Sequence, residues 1–122
     1  MAYESKIYIV KKSNFVEVNG MRYARVIAMF DLCKFPSLSD VLRNMPKTDC
    51  YFYNGDTEVL EDNYGEPLTE TTVETVINVL EKVVEYGETY YRIFPLLSML
   101  KTIYEQQKNG EWGNITVLHY GY

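Results

Sequence analysis

Residues 15–32 read FVEVNGMRYARVIAMFDL, and how this stretch is parsed decides which folds the chain can adopt. Asn19-Gly20 stands between two runs rich in β-branched and aromatic residues, and such a pair suits a tight turn whose two central residues both need positive φ. The spacing predicts a hairpin of 15–18 with 21–32. From Val26 to Phe30 the second arm is apolar at successive positions, the pattern of a strand covered on both faces, so it is expected near the middle of a sheet. Upstream, KIYIVKK (6–12) puts Ile7 and Ile9 on one face and Tyr8 and Val10 on the other, which reads as a strand.

Downstream, SLSDVLRNMP (37–46) offers Ser37 or Ser39 as N-cap and Pro46 as a stop, room for a short helix only. TDCYFYNGDTEVLED (48–62) alternates Cys50 and Phe52 against Tyr51 and Tyr53, then turns at Asn54-Gly55-Asp56, giving a second hairpin with its return arm at 58–62. After NYGEPL breaks the pattern, TETTVETVINVLEKVVEYG (69–87) carries Val73, Val76, Ile77, Leu80, Val83 and Val84 at helical spacing. Thr71 and Glu74 have the spacing of a capping box, and Gly87 is the expected stop. Pro95 suits the first turn of another helix, running to Gln107 with Leu96, Leu97, Leu100 and Ile103 inward and ended by Gly110. NITVLHY (114–120) closes the chain as a last strand. The order βββ-α-ββ-αα-β lacks regular βαβ alternation. It predicts an α+β fold as a single domain over 1–122: an antiparallel or mixed sheet of about five to six strands, two longer helices on one face, and one short helix.

Composition narrows the function. A chain of 122 residues has enough sequence for one core and too little for two. Its 47% apolar and 24% charged residues are ordinary globular values, and the net charge of −5 repels polyphosphate, so duplex nucleic acid and anionic membrane are not expected partners. No apolar run approaches the roughly 20 residues a bilayer requires, and MAYESK lacks a signal-peptide core, which together predict a cytoplasmic protein. Cys33 and Cys50 have no CxxC spacing and read as small buried hydrophobes.

Catalytic and metal signatures are weak. The chain has one histidine, His119, in line with Ile115 and Val117 on the last strand, and no serine sits in a GxSxG-type turn, so no catalytic residues are assigned. Asp56, Glu58, Glu61, Asp62 and Glu66 form an acidic run whose spacing departs from calcium loops, so a solvated turn is expected, with no metal and no cofactor. No glycine-rich phosphate loop is present. Aromatic surface is what remains. Twelve tyrosines exceed what one core needs, and each pairs a flat apolar ring with a hydroxyl that must stay wet or bonded. Tyr51 and Tyr53 share a face, and Leu118, Tyr120 and Tyr122 line up on the last strand; if the two strands are neighbours, a tyrosine stripe crosses the sheet. Arg22 and Arg25, flanking Tyr23, enter the long strand where a guanidinium can stack on a ring or meet an acidic ligand. The candidate ligand- or partner-binding residues are therefore Arg22, Tyr23, Arg25, Tyr51, Tyr53, His119 and Tyr120.

YESKIYIV at the start, VIAMFDLCK, TDCYFYNGDTEVLEDNYGEPLTE in the middle and the terminal LHYGY together resemble a group of small uncharacterised proteins encoded in phages and prophages of Gram-positive bacteria. The resemblance implies an accessory protein acting by stoichiometric binding in the host cytoplasm, including counter-defence by sequestering a nucleotide-like immune signal. A second expectation is an acidic inhibitor that docks on a host protein in a salt-sensitive way. A third is a homodimer formed through the last strand, which carries no charge to guard an edge.

Overall fold

The computed structural model describes residues 4–32, 35–62, 64–87, 92–110 and 114–121. It is an α+β protein with strands β1 (Ser5–Lys12), β2 (Arg22–Asp31), β3 (Cys50–Asn54), β4 (Thr57–Val59), β5 (Thr69–Thr71) and β6 (Ile115–Gly121). The helices are α1 (Pro36–Arg43), α2 (Val73–Glu85) and α3 (Ile93–Lys108). One sheet takes all six strands in the order β4-β3-β2-β1-β6-β5. It is mixed: β2 and β3 run parallel, joined by the α1 crossover, and the other pairs are antiparallel.

β1 is the spine. Ile7 and Ile9 are fully buried on one face and Tyr8 and Val10 are buried on the other, as the period-two pattern requires of a strand covered on both sides. On the first face Ile7, Ile9, Ile115 and Val117 meet Leu38 and Leu42 of α1, Val76 and Leu80 of α2, and Leu96 and Leu100 of α3. On the second face Tyr8, Val10, Ala24 and Leu118 are covered by Cys50, Phe52 and Leu68. Tyr8 and Phe52 stack with ring centroids 4.5 Å apart although two strand spacings separate β1 from β3, so the sheet must curl over itself. The curl is fastened at its far side. Thr48 N donates to Leu68 O at 3.0 Å, Glu70 N donates to Pro46 O at 2.9 Å, and Lys47 sits opposite Thr69, so the segment leading into β3 runs alongside β5.

The expected hairpin of 15–18 with β2 does not form. Asn19-Gly20 does turn the chain, with Gly20 at φ 82° and Asn19 Oδ1 accepting from Met21 N at 3.0 Å, but β2 pairs with β1 and leaves 13–21 as a loop. Pairing with the doubly buried β1 removes far more apolar surface from water than pairing with 15–18 would, and Phe15, Val16 and Val18 stay exposed. β2 is interior to the sheet as expected, yet Ile27 and Met29 are exposed, so both-face coverage belongs to β1. The register slips by one between Ile9 and Val10, which leaves Ile27 without an opposite residue.

Three local readings shift. α1 is entered through Pro36 in its first turn, with Phe35 at the cap position, so Ser39 lies inside the helix and is buried. α2 is capped by Thr72, whose hydroxyl accepts from Thr75 N at 3.1 Å. Thr71 cannot take that role because it ends β5 opposite Val117, with its carbonyl accepting from Thr116 Oγ1 at 2.9 Å. Replacing Thr72 by Ala should cost about 1 kcal/mol in denaturant unfolding, while Thr71→Val should leave the cap intact. β6 is interior, paired with β1 along its length and with β5 at Val117–His119, so the last strand is not the open edge strand expected for self-association. Among the described residues no helix is long and apolar enough to cross a membrane. Cys33 and Tyr122 lie outside the described residues.

Candidate functional site

Where α1 ends, the seam of the curl, the 62–67 loop and the end of β6 converge on a cavity of about 400 Å³ lined by Arg43, Lys47, Asp62, Tyr64, Thr69 and His119, with Gly121 at its edge. Its walls are fastened by local chemistry. Asp62 Oδ1 accepts from Tyr64 N at 2.8 Å and Glu66 N at 2.9 Å, closing the acidic run into a self-capped turn. Tyr64 reaches back so that its hydroxyl accepts from Glu4 N at 3.1 Å, and Thr69 Oγ1 donates to Leu42 O at 2.7 Å, pinning the end of α1 to β5. Arg43 stands in the last turn of α1, where a cation complements the helix dipole, and bonds Asp40 Oδ1 at 2.8 Å. Gly121 has φ 92°, and a Cβ there would run into the Glu4 carbonyl, so no side chain can intrude from that position.

His119 is buried with 4% exposure, and its Nε2 lies 3.1 Å from Ser5 Oγ, which in turn lies 2.9 Å from Ser39 Oγ. This has the spacing of a nucleophile and its base, but Ser5 is 1% exposed and cannot meet a substrate. Burial, with help from the Arg43 charge and against the opposing pull of Asp62, pushes the His119 pKa down to about 4. The imidazole is therefore neutral in the folded protein at pH 7. Its folded value is below the ordinary 6.5, so the unfolded chain binds the extra proton first, and stability should fall as pH drops from 6.5 towards 4. The loss should reach about 3 kcal/mol, at 1.36 kcal/mol per pH unit. Urea unfolding of the His119→Gln variant over the same range should lack this slope, and an unchanged slope would show that another group produces it.

A second polar cluster closes the seam. Glu70 accepts from Thr48 Oγ1 at 2.6 Å and Lys12 Nζ at 3.0 Å and shares the Thr116 Oγ1 proton, at 3.0 Å, with the Thr71 carbonyl, joining β5 to β1, β6 and the segment before β3. Asp49 lies 3.4 Å from Lys12 Nζ and 3.1 Å from Arg22 Nε. Burial works against the charge of Lys12, but Glu70 and Asp49 outweigh it and hold its pKa above the usual range. The same balance, burial opposed by Lys12 and Arg22, leaves Asp49 below the usual range. The Asp49 carboxylate, Cys50 thiol and Glu70 carboxylate lie within 4.8 Å of one another, a donor set that could hold a cation. Two features oppose that. The Lys12 ammonium already lies against both carboxylates, and burial pushes the Cys50 thiol up to about 11, so it stays protonated and ligates poorly.

The residues expected from sequence are divided among four places. His119 floors the cavity. Tyr23, Tyr51 and Tyr53 gather on the outer face of β2 and β3 with centroids 5.8, 6.1 and 6.0 Å apart. Tyr51 donates to Glu17 Oε1 at 2.6 Å, and that carboxylate pushes its phenol up to about 12. Arg25 is exposed two residues on from Tyr23 along β2, opposite Lys11. Arg22 is committed to Asp49 and to Ser13 O, which it bonds at 3.2 Å. Tyr120 packs edge-on to Tyr8 at 6.2 Å, near Lys6. β3 and β6 are separated by β2 and β1, so no tyrosine stripe crosses the sheet between them. Sequence reasoning missed Arg43, Lys47, Tyr64, Ser5 and Ser39: Ser39 and Arg43 stand one helical turn apart on α1 with Lys47 four residues further on, but Ser5 and Tyr64 come from distant segments, and only His119 and the acidic run at 56–66 marked the cavity in advance.

Comparison of the chain with protein-family models, with curated proteins and with solved structures gives no match.

Proposed function

We propose that the chain is a binding protein for a small nucleotide-like anion, held stoichiometrically in the cavity at the end of α1. The observation that carries this reading is the convergence of Arg43, Lys47 and a neutral His119 on one concave, stapled cavity of about 400 Å³. That volume falls at the small end of the range for ligand pockets, suited to a mononucleotide-sized molecule. Arg43 and Lys47 supply the cationic side for a phosphate, Asp62 and Glu66 supply acceptors for hydroxyl or amino groups, and the Tyr64 ring offers a flat face for a base. The inaccessible Ser5 favours holding a ligand over transforming it. Sequestration of a nucleotide-like signal in a host cytoplasm, with phage counter-defence as its context, fits the resemblance drawn from the sequence. A thermal-shift screen against nucleoside monophosphates and cyclic nucleotides tests it: at least one should raise the melting temperature, and a flat response across the set would sink the proposal.

A second reading, an inhibitor that docks on a host protein, is favoured by the exposed face where Tyr23 and Tyr53 stand beside Tyr51, with Tyr53 47% exposed. Under it, Tyr53→Ala should abolish partner capture from host lysate without changing the nucleotide screen.

A further inference from the structure

The cavity presents its ligand with one nitrogen of a single histidine, and hydrogen-bond accounting decides whether that nitrogen gives or takes a proton. Ser39 is buried, and among the described residues its only side-chain hydrogen-bond partner is Ser5 Oγ at 2.9 Å. A hydroxyl has one proton, and a buried donor left unused costs about 1–3 kcal/mol, so Ser39 must spend its proton on Ser5. Ser5 Oγ, having accepted, has one remaining partner for its own proton, His119 Nε2 at 3.1 Å. Nε2 is then an acceptor. The neutral ring must carry its proton on Nδ1. The reverse direction, Nε2–H to Ser5 to Ser39, would strand the Ser39 proton with no acceptor.

Nδ1 itself has no protein partner among the described residues, and no fully buried side-chain nitrogen or oxygen lacks one, so Nδ1 keeps access to the cavity that His119 lines. We infer that the Ser39–Ser5 relay locks His119 in the Nδ1–H tautomer, making it a fixed, uncharged donor that selects a ligand presenting an acceptor oxygen to the cavity floor. This rests on the cavity being the ligand site and narrows the ligand class: a phosphoryl or carbonyl oxygen fits beside Arg43 and Lys47, and an amino group in that place is rejected because two donors would face each other. Ser5 and Ser39 are positioning residues; they reach the ligand only through the ring.

The test uses the full chain labelled with ¹⁵N, and His119 is its only histidine, so the imidazole signals are unambiguous. Long-range ¹H–¹⁵N correlation at pH 7 should show a protonated-type nitrogen at Nδ1 and a pyridine-type nitrogen at Nε2 before any ligand is added. A protonated Nε2 would overturn the inference whether or not anything binds, so its failure is separable from failure of the ligand reading. Ser5→Ala should remove the bias and bring the two nitrogens to averaged shifts, whereas an unchanged spectrum would show that the relay does not set the tautomer. Titration with guanosine monophosphate should then move Nδ1 and leave Nε2 in place; movement confined to Nε2 would contradict the assignment of the cavity-facing atom.

Discussion

Glu70→Ala is expected to destabilise the fold by about 3 kcal/mol, the largest effect of any single polar substitution in the molecule. Glu70 receives one bond from Thr48 and one from Thr116 besides the Lys12 ion pair, and the two ion-pair side chains are 21% and 16% exposed. Removing the carboxylate strips the Lys12 ammonium of its nearer counter-charge, leaving it Asp49 at 3.4 Å, and takes the acceptor of the Thr48 hydroxyl, in a place that water reaches poorly, while Thr116 keeps the Thr71 carbonyl. It also loosens β5, whose three residues are held by β6 and by the segment before β3. Denaturant unfolding followed by circular dichroism measures the loss. Glu70→Gln, which keeps the shape and an acceptor oxygen, should cost clearly less, and Lys12→Met combined with Glu70→Leu should recover part of the loss because neither charge then needs a partner. Equal stability of Glu70→Ala and the wild type would mean that the seam is held by its backbone bonds alone.

The second large effect is on binding. Reversing both cavity cations, Arg43→Glu with Lys47→Glu, should weaken a bound nucleotide at least a hundredfold. Two charge-assisted hydrogen bonds are worth about 1.5–3 kcal/mol each, and about 1.4 kcal/mol is tenfold in affinity. Folding should hardly change. Both side chains are exposed, and the Arg43–Asp40 pair is an exposed helical contact of small value. Calorimetry with the nucleotide found in the thermal screen reads the first quantity and urea unfolding the second. A variant that binds as tightly as the wild type would move the ligand elsewhere.

Local pattern carried much of the architecture. α2 declares itself through an uninterrupted apolar stripe from Val73 to Leu80, and β1 and β6 through β-branched alternation, because in these segments local preference and final burial agree. The loop at 13–21 shows the opposite case. Its Asn-Gly turn is real, but a turn signal does not say which strands it joins, and the competition was won by the apolar area of β1. β5 escaped because Thr69, Glu70 and Thr71 are polar and brief, and they form a strand only because β6 and the seam supply partners. The cavity was less legible still. His119 could be named from its rarity, but Arg43 and Lys47 look like ordinary surface cations until the curl brings the end of α1 beside the end of β6. Ser5 and Ser39, 34 residues apart, acquire meaning only as a hydrogen-bonded pair.

On the proposed function, ligand recognition belongs to the cavity at the end of α1 and not to the exposed tyrosines of β2 and β3. Backbone chemical-shift mapping of the ¹⁵N-labelled chain with guanosine monophosphate tests it most directly. Saturable shifts should be confined to Arg43–Lys47, the 62–69 segment and His119–Gly121, with Tyr23, Tyr51 and Tyr53 unmoved. Shifts centred on those three tyrosines, with the cavity silent, would contradict it.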